Sequence, residues 1–337
     1  MTLDTLLVHA AGATGVEVRT GARVRRLLID DGRVTGVQTD DGPIHARLVV
    51  GADGRHSTVA SAVGAREYHV APPGRMAVWG YFEGADRHGH FRFGRVGDMG
   101  FLASPTDSDL YMVAVAPDLE KQHDFHADRD AYFTAAIRKW PELADMVGGG
   151  QRVGPLRVVT KWHGYFRQSA GPGWVLVGDA GHFKDFAPGQ GISDAFRQAE
   201  QLARDIEAAL GTTNLDTAMQ RWWRWRDNDA YEMYWFASRV GQPGISSPLT
   251  TRLLRGISAD AAATRSFLRV VNHDLLPSQL FTPAMAARAT ARAIRDEPSH
   301  TLAILKEAFA TGKQNIRQAR QKRVRPPGIS DTGWQLL

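Results

Sequence analysis

The sequence predicts an α/β fold interrupted by an antiparallel sheet and followed by a helical region. Three observations carry this. Two short apolar runs, Leu-Val-Val at 48–50 and Trp-Val-Leu-Val at 174–177, each lead into a turn built from Gly and Asp, as buried strands do. Between them, positions 76–116 are dense in aromatic and β-branched residues broken by Gly and Asp, the composition of an antiparallel sheet. After them, Ile192, Ala195, Phe196, Ala199, Leu202, Ala203 and Ile206 recur at the spacing of one helix face.

Taken in order, Leu3, Leu6, Leu7 and Ala10 predict a helix over 3–11, stopped by Gly12 and Gly15, with a short strand beginning at Val16. Asp31-Gly32 and Asp41-Gly42 are turn dipeptides that make residues 22–54 a three-stranded antiparallel excursion ending in a buried strand, Leu48 to Val50. A helix is expected over 130–140, ended by Pro141, and a strand over 153–163. Gly171-Pro172-Gly173 then turns the chain into the strand at Trp174. From Asp216 the pattern is helical, with breaks at Gly241-Gln242-Pro243-Gly244 and at Pro277. The aromatic-rich stretch RWWRWRDNDAYEMYWFASRV reads as rings that pack this helix onto the body.

Composition narrows the chemistry. With 337 residues, 43% hydrophobic and 23% charged, the chain is large enough for two domains. It has no cysteine, which excludes disulfide scaffolds, zinc-thiolate sites, iron–sulfur ligation and cysteine nucleophiles. No apolar run approaches the roughly 20 residues of a membrane span. The opening MTLDTLLVHAAG carries Asp4 and no basic leader, so no signal peptide is expected and a cytoplasmic location is. The net charge of +5 is concentrated: residues 313–325 carry six positive charges and no acid, leaving 5 − 6 = −1 for the rest. Followed by Pro326-Pro327-Gly328, this run is expected to be a solvated, flexible basic tail over 313–337, with no nucleic-acid partner. His88 and His90 lie in a Gly-rich turn without acidic or thiolate companions, and no metal site is expected.

Two segments carry candidate chemistry, both where a strand ends and ligands bind in open α/β sheets. In VVGADGRHSTV, Asp53 follows the strand and Gly54 lets the backbone approach a ligand, although Asp-Gly after a strand is also an ordinary turn. In GWVLVGDAGHFKDFAPGQGISDAF, Gly178-Asp179 ends the strand, and Pro188-Gly189-Gln190-Gly191 leads into the helix at Ile192. An acid at a strand end accepts hydrogen bonds from ligand hydroxyls. Bare loop amides and the positive end of the helix dipole suit an anion or a ring on which negative charge develops.

GADGRHSTV and GDAGHFKDFAPGQGISDAF, about 125 residues apart around a sheet-rich insert, resemble the two later fingerprints of the single-component FAD-dependent monooxygenases, the aromatic-hydroxylase family. The resemblance covers roughly positions 1–215. It implies an FAD/NAD(P)-binding Rossmann-like domain over 1–65 and 160–215, an inserted antiparallel substrate-binding sheet over 66–159, and a helical C-terminal region over 216–312. It implies further that Asp179 binds the ribityl chain of FAD and that Pro188, Gly189, Gln190, Gly191 and Ile192 line the isoalloxazine ring. Asp53 and Gly54 would lie near the pyrophosphate and ribose, with Gly178 at the ribityl turn. In that family NAD(P)H reduces the flavin, O2 forms a flavin hydroperoxide, and an aromatic or polyketide-like small molecule is hydroxylated; the flavin does the chemistry, and no acid–base pair is expected.

The family normally opens with a strand, a G-x-G-x-x-G turn and a helix. This sequence contains no such motif, since Gly12, Gly15 and Gly21 lack its spacing, and the Rossmann-like domain is therefore expected to be N-terminally incomplete. The first fingerprint has Ala60 where the family usually has Arg, with Arg55 or Arg66 as candidate substitutes. Lys184-Asp185 is followed by Phe186 rather than Pro. Flavin halogenases share the scaffold, but their W-x-W-x-I-P signature is not met by Trp223-Arg224-Trp225-Arg226-Asp227, and a halogenase is disfavoured. A silent flavoprotein remnant and a flavin-dependent reductase of a lipid-like substrate stand as alternatives. His182 could tune a substrate hydroxyl or the flavin's protons, or be structural. Alternation pairs Trp79 with Tyr81 and Phe91 with Phe93 on shared faces, either a substrate floor or, the favoured reading, packed core.

Overall fold

The computed structural model describes residues 2–85, 91–211 and 215–322. The chain divides into two compact units, the first comprising residues 1–23, 72–162 and 242–245, and the second 24–71, 163–241 and the residues from Ser246 onward. The first unit is built on a five-stranded antiparallel sheet in the order Gln151–Val159, Ala77–Glu83, Tyr111–Ala116, Met99–Pro105, Arg92–Val96. Its buried face, with Val78, Phe82, Met99, Phe101, Val113 and Val115, packs in one core with Phe125, Phe133 and Leu143 from three short helices. Inside the unit Arg75 is 3% exposed and pairs with Asp118 at 3.1 Å, so its charge is neutralised where it is buried.

The second unit holds the predicted three-stranded excursion, Val24–Asp30, Arg33–Thr39 and Gly42–His45. It also holds the two buried strands, Val49–Gly51 (β1) and Trp174–Leu176 (β2). These two pair in parallel, with Val49 opposite Trp174 and Gly51 opposite Leu176, and the ladder closes with Val177 N–H donating to Gly51 O at 2.9 Å. A Cβ on Gly51 would lie 2.7 Å from Leu176 Cδ2 and 2.9 Å from Val59 Cβ, so glycine is needed where β1 packs so closely on its surroundings. A short helix, Thr58–Ala62 (α1), follows β1, and a 20-residue helix, Gly191–Leu210 (α2), follows β2. Next comes Leu215–Val240 (α3), whose Trp222, Trp223 and Tyr234 fill the main core with Phe166, Val175 and Leu202. The expected packing role of the aromatic-rich stretch therefore holds.

Several expectations change. The run from Val16 forms no strand: residues 16–19 have no ladder partner among the described residues, and extended backbone without one is not a strand. Pro141 ends one helix, Arg129–Arg138, and also occupies the first turn of the next, Pro141–Gly148, where its missing N–H costs nothing. The helices beyond Asp216 form one unit with the β1/β2 region rather than a separate one. The segment expected to be a flexible tail from 313 is helical as far as Lys322, within Thr301–Lys322 (α5, following Ala261–Val271, α4), because Tyr231 Oη donates to Gln318 O at 2.7 Å and Ile304 is buried. Residues 323–337, like His88 and His90, lie outside the described residues.

Gly173, at φ +77°, ends the turn into β2, and a Cβ there would collide with Val34 O. Gly173→Ala is expected to lower unfolding stability by about 3 kcal/mol, read from urea unfolding; a change within experimental error would show that this turn adjusts freely.

Candidate flavin site

The ends of β1 and β2 deliver the two motif turns side by side. Tyr165 joins them: its hydroxyl lies 2.6 Å from Asp179 O and 3.2 Å from Arg55 O, one backbone carbonyl from each motif. Burial pushes the Tyr165 hydroxyl pKa up to about 12, so it remains a neutral donor. Nothing in the sequence pattern marked Tyr165, since its role depends on a strand, Gly164–Arg167, that lies between the two motifs in space.

In the first turn the Asp53 carboxylate accepts the amides of Thr58 at 2.7 Å and Val59 at 3.2 Å, and Ser57 Oγ accepts Ala60 N–H at 2.9 Å. Asp53 is therefore engaged in holding the start of α1, the ordinary-turn alternative of the sequence reading. Gly54, at φ +74°, has open space on its Cβ side. Beside the turn lies a cleft of about 350 Å³ lined by Arg55, His56, Ser57, Ser61, Glu67 and Arg167. Arg167 is fixed by Ala180 O at 2.8 Å and Glu67 Oε1 at 2.6 Å, and its guanidinium stacks 4.3 Å from the Tyr165 ring centre.

The second turn differs in kind. Gly178, at φ +61°, opens it, with its N–H donating to Gln198 Oε1 at 2.9 Å. The half-buried Asp179 carboxylate receives no hydrogen bond among the described residues, and burial together with the nearby Asp194 charge raises its pKa. An acid in that condition gains from a ligand hydroxyl. The loop closes without the family's proline after Asp185: Asp185 Oδ1 accepts Ala187 N–H at 2.9 Å, and Gly189 N–H donates to Phe186 O at 2.9 Å.

At the start of α2, Gln190 provides no side-chain cap, and the first amide with an acceptor is that of Asp194, bonded to Gln190 O at 2.9 Å. The amides of Gly191, Ile192 and Ser193 thus have no protein acceptor among the described residues, at the positive end of a 20-residue helix. Gly189, Gly191 and Ile192 are exposed, and Pro188 is buried.

Gln190 does not face outward with them. It is 3% exposed, and its side chain turns inward, accepting from Lys184 Nζ at 2.9 Å and donating to Val271 O at 2.6 Å, at the end of α4. Lys184 in turn pairs with Asp194 at 2.6 Å, and His273 Nδ1 lies 3.7 Å from the same carboxylate. The loop is pinned from behind by a buried polar cluster, so the helix start offers a ligand its backbone groups and the exposed side chains of Ile192 and Ser193. His182 is 2% exposed, 4.6 Å from the Phe166 ring, and burial holds it well below the usual histidine pKa. The ring is enclosed, and its Nε2 has no hydrogen-bond partner among the described residues.

The residues therefore suit a flavin: a half-buried carboxylate lacking a donor for the ribityl hydroxyls, and three open amides for an electron-rich ring edge. In the other unit, Val78 and Phe82 point into the core, while Trp79 and Tyr81 share the opposite, half-exposed face, which corrects the packed-core reading. Phe91 and Phe93 are 51% and 38% exposed, with ring centres 5.7 Å apart, so these rings too lie outside the core. Among the described residues no group of His, Asp and Glu is placed to hold a metal, and no helix is long and apolar enough to cross a membrane.

Comparison with known proteins decides the family. A model described as FAD binding domain matches residues 1–224. The chain belongs to the FAD binding domain family. Tryptophan 2-halogenase of Chondromyces crocatus is 24% identical over 221 residues, 61% of this chain and 42% of that protein. Among solved structures, the flavin-dependent brominase Bmp2 superposes with a TM-score of 0.69 at 16% identity, over 87% of this chain and 75% of that one. The anhydrotetracycline hydroxylase OxyS of Streptomyces rimosus gives 0.57 at 22% identity, over 81% and 55%. The chain spans about half the length of the curated relatives it matches. The resemblance to FAD-dependent hydroxylases and the α/β flavoprotein fold with its antiparallel insert are thereby shown.

In this FAD-binding domain Asp194 opposes burial, which by itself would raise its pKa; His273 and Lys184 hold it down to about 2. Its contribution is complete above the unfolded-state value near pH 4 and is lost as pH falls through about 2. Wild-type stability is expected to fall by about 2 kcal/mol more than that of Asp194→Asn between pH 5 and pH 2, read from urea midpoints. Parallel pH profiles for the two proteins would refute the pairing.

Proposed function

We propose that this domain is the flavin site of an FAD-dependent monooxygenase that hydroxylates an aromatic or polyketide-like small molecule with electrons from NAD(P)H. The overall reaction balances as substrate-H + O2 + NAD(P)H + H⁺ giving substrate-OH + H2O + NAD(P)⁺. The observation that supports it most is the second turn, where the donor-less Asp179 carboxylate stands beside the uncapped start of α2. Bound flavin supplies the redox chemistry and the activation of O2. The chain's own contribution is to bind and orient. Asp179 accepts from the ribityl chain, and the amides of Gly191, Ile192 and Ser193 stabilise negative charge on the ring. Arg55, Arg167 and the Asp53-Gly54 turn suit the anionic part of a nucleotide, and Trp79, Tyr81, Phe91 and Phe93 offer aromatic surface to a substrate.

A halogenating reading is kept second because relatives named halogenase and brominase share the fold. Against it, Trp223 of the Trp-Arg-Trp triplet is committed to the core, where its Nε1–H donates to Tyr68 Oη at 2.8 Å.

The test begins with purified chain incubated with FAD and freed of excess ligand. Retained visible flavin absorbance is expected, with binding weakened about tenfold to a hundredfold by Asp179→Ala. Substrate-stimulated NAD(P)H oxidation with O2 uptake and a hydroxylated phenol as product would support the monooxygenase. A halide-dependent product would favour halogenation, NAD(P)H oxidation without O2 incorporation a reductase, and failure to retain FAD a silent remnant.

A further inference from the structure

The basic C-terminal run is left unused by the flavin site, and α5 shows how its first part is presented. The inner side of α5 is docked within its own unit: Ile304 is 1% exposed, Gln318 O accepts from Tyr231, and Lys322 Nζ lies 3.7 Å from Glu232 Oε1. The direction of the outer side is therefore fixed. That side carries Leu302, Leu305, Phe309 and Ile316, which are 67%, 48%, 76% and 58% exposed. At 3.6 residues per turn these four fall within an arc of about 60°. Lys306, Lys313, Arg317 and Arg320 occupy the adjoining arc of about 60°. All four cations are exposed and form no ion pair among the described residues. The helix has one acid, Glu307, which is half-buried on the other side and bonded by Ser247. In sequence the positive charge continues through Arg323 and Arg325.

Four large apolar side chains left in water are costly for one helix of a folded unit. Their adjacency to a strip of unopposed cations selects the kind of partner. A protein groove would cover the apolar stripe without needing four charges on one flank, and nucleic acid would use the charges without the stripe. An anionic bilayer surface uses both: apolar side chains enter the acyl boundary while lysine and arginine stems reach back to the phosphates. We propose that the outer face of α5 docks this protein on the surface of an anionic lipid membrane, lying in the interface rather than spanning it. The proposal is independent of flavin binding, and it gives the basic run a role other than that of a solvated tail.

The experiment is flotation of the full chain with vesicles of phosphatidylcholine containing phosphatidylglycerol, against phosphatidylcholine alone, at low and high salt. Binding is expected on the anionic vesicles only, weakened by salt. Lys313→Gln with Arg317→Gln is expected to weaken it about twenty-fivefold, at about fivefold per cation. Leu305→Ser with Phe309→Ser is expected to weaken it by about tenfold or more. Both pairs of substitutions lie on the outer face, so thermal midpoints should stay at the wild-type value. No binding to anionic vesicles, equal binding to neutral ones, or binding indifferent to either variant overturns the proposal. So does a chain that stays off vesicles but sediments as a dimer broken by the Leu305/Phe309 change, which would make a second copy the occupant. Retention on duplex DNA that is lost only in the cation variant, without vesicle binding, would assign the strip to nucleic acid.

Discussion

The site depends on one short parallel ladder. β1 and β2 contribute three residues each, yet their pairing sets Gly51 against Leu176 and hands Val177 N–H to Gly51 O. Everything that follows either strand is placed by that register. The Asp53 turn and the Gly178-Asp179 turn leave the same edge of the sheet, close enough for one Tyr165 hydroxyl to reach carbonyls from both. The chain between the two strands includes nearly the whole antiparallel unit. Such a long connection is tolerable because loop-closure entropy grows only with the logarithm of length, and because the inserted sheet and its helices bury a core of their own.

A second constraint acts from behind the loop. A helix start is normally satisfied by its own cap, and α2 has an acid in its first turn that could have served. Asp194 is instead taken by Lys184 and His273, and Gln190 is held by Lys184 and the carbonyl of Val271. The polar side chains near the helix start are thus committed inward, and its amides are left open outward. A deeper polar cluster steadies α3 against the strand that precedes β2. Tyr68 Oη donates to Asp227 at 2.5 Å, while Arg226 donates to Asp227 at 2.9 Å and to Ser169 Oγ at 2.9 Å. Through these bonds the network ties α3 to the neighbouring strands, although Arg226 Nη1 is buried without a hydrogen-bond partner among the described residues.

Much of this was legible in the sequence because it rests on local rules. Apolar runs ending in Gly and Asp located β1 and β2, turn dipeptides located the hairpins, and the 3.6-residue period located α2. What was not legible depends on partners distant in the chain. The stretch from Val16 has strand composition but no ladder to join. Asp53 looked like a ligand group and is occupied by two amides of α1. Gln190 looked like a lining residue, but its inward turn is set by Lys184 and by α4, some 80 residues away. Trp79 and Tyr81 alternate as core residues would, yet it is the flanking Val78 and Phe82, on the other face, that belong to the core with the neighbouring helices. The basic run shows only charge in sequence; its order comes from Tyr231, whose reach to Gln318 no local pattern encodes.

The most direct test of the account is an amide NMR titration of the isotopically labelled chain with FAD. The account predicts saturable shifts concentrated at Asp179, Gly189, Gly191, Ile192 and Ser193, with the amides of α5 unmoved. Saturating FAD that leaves the start of α2 unchanged, or that shifts only residues elsewhere, would contradict it.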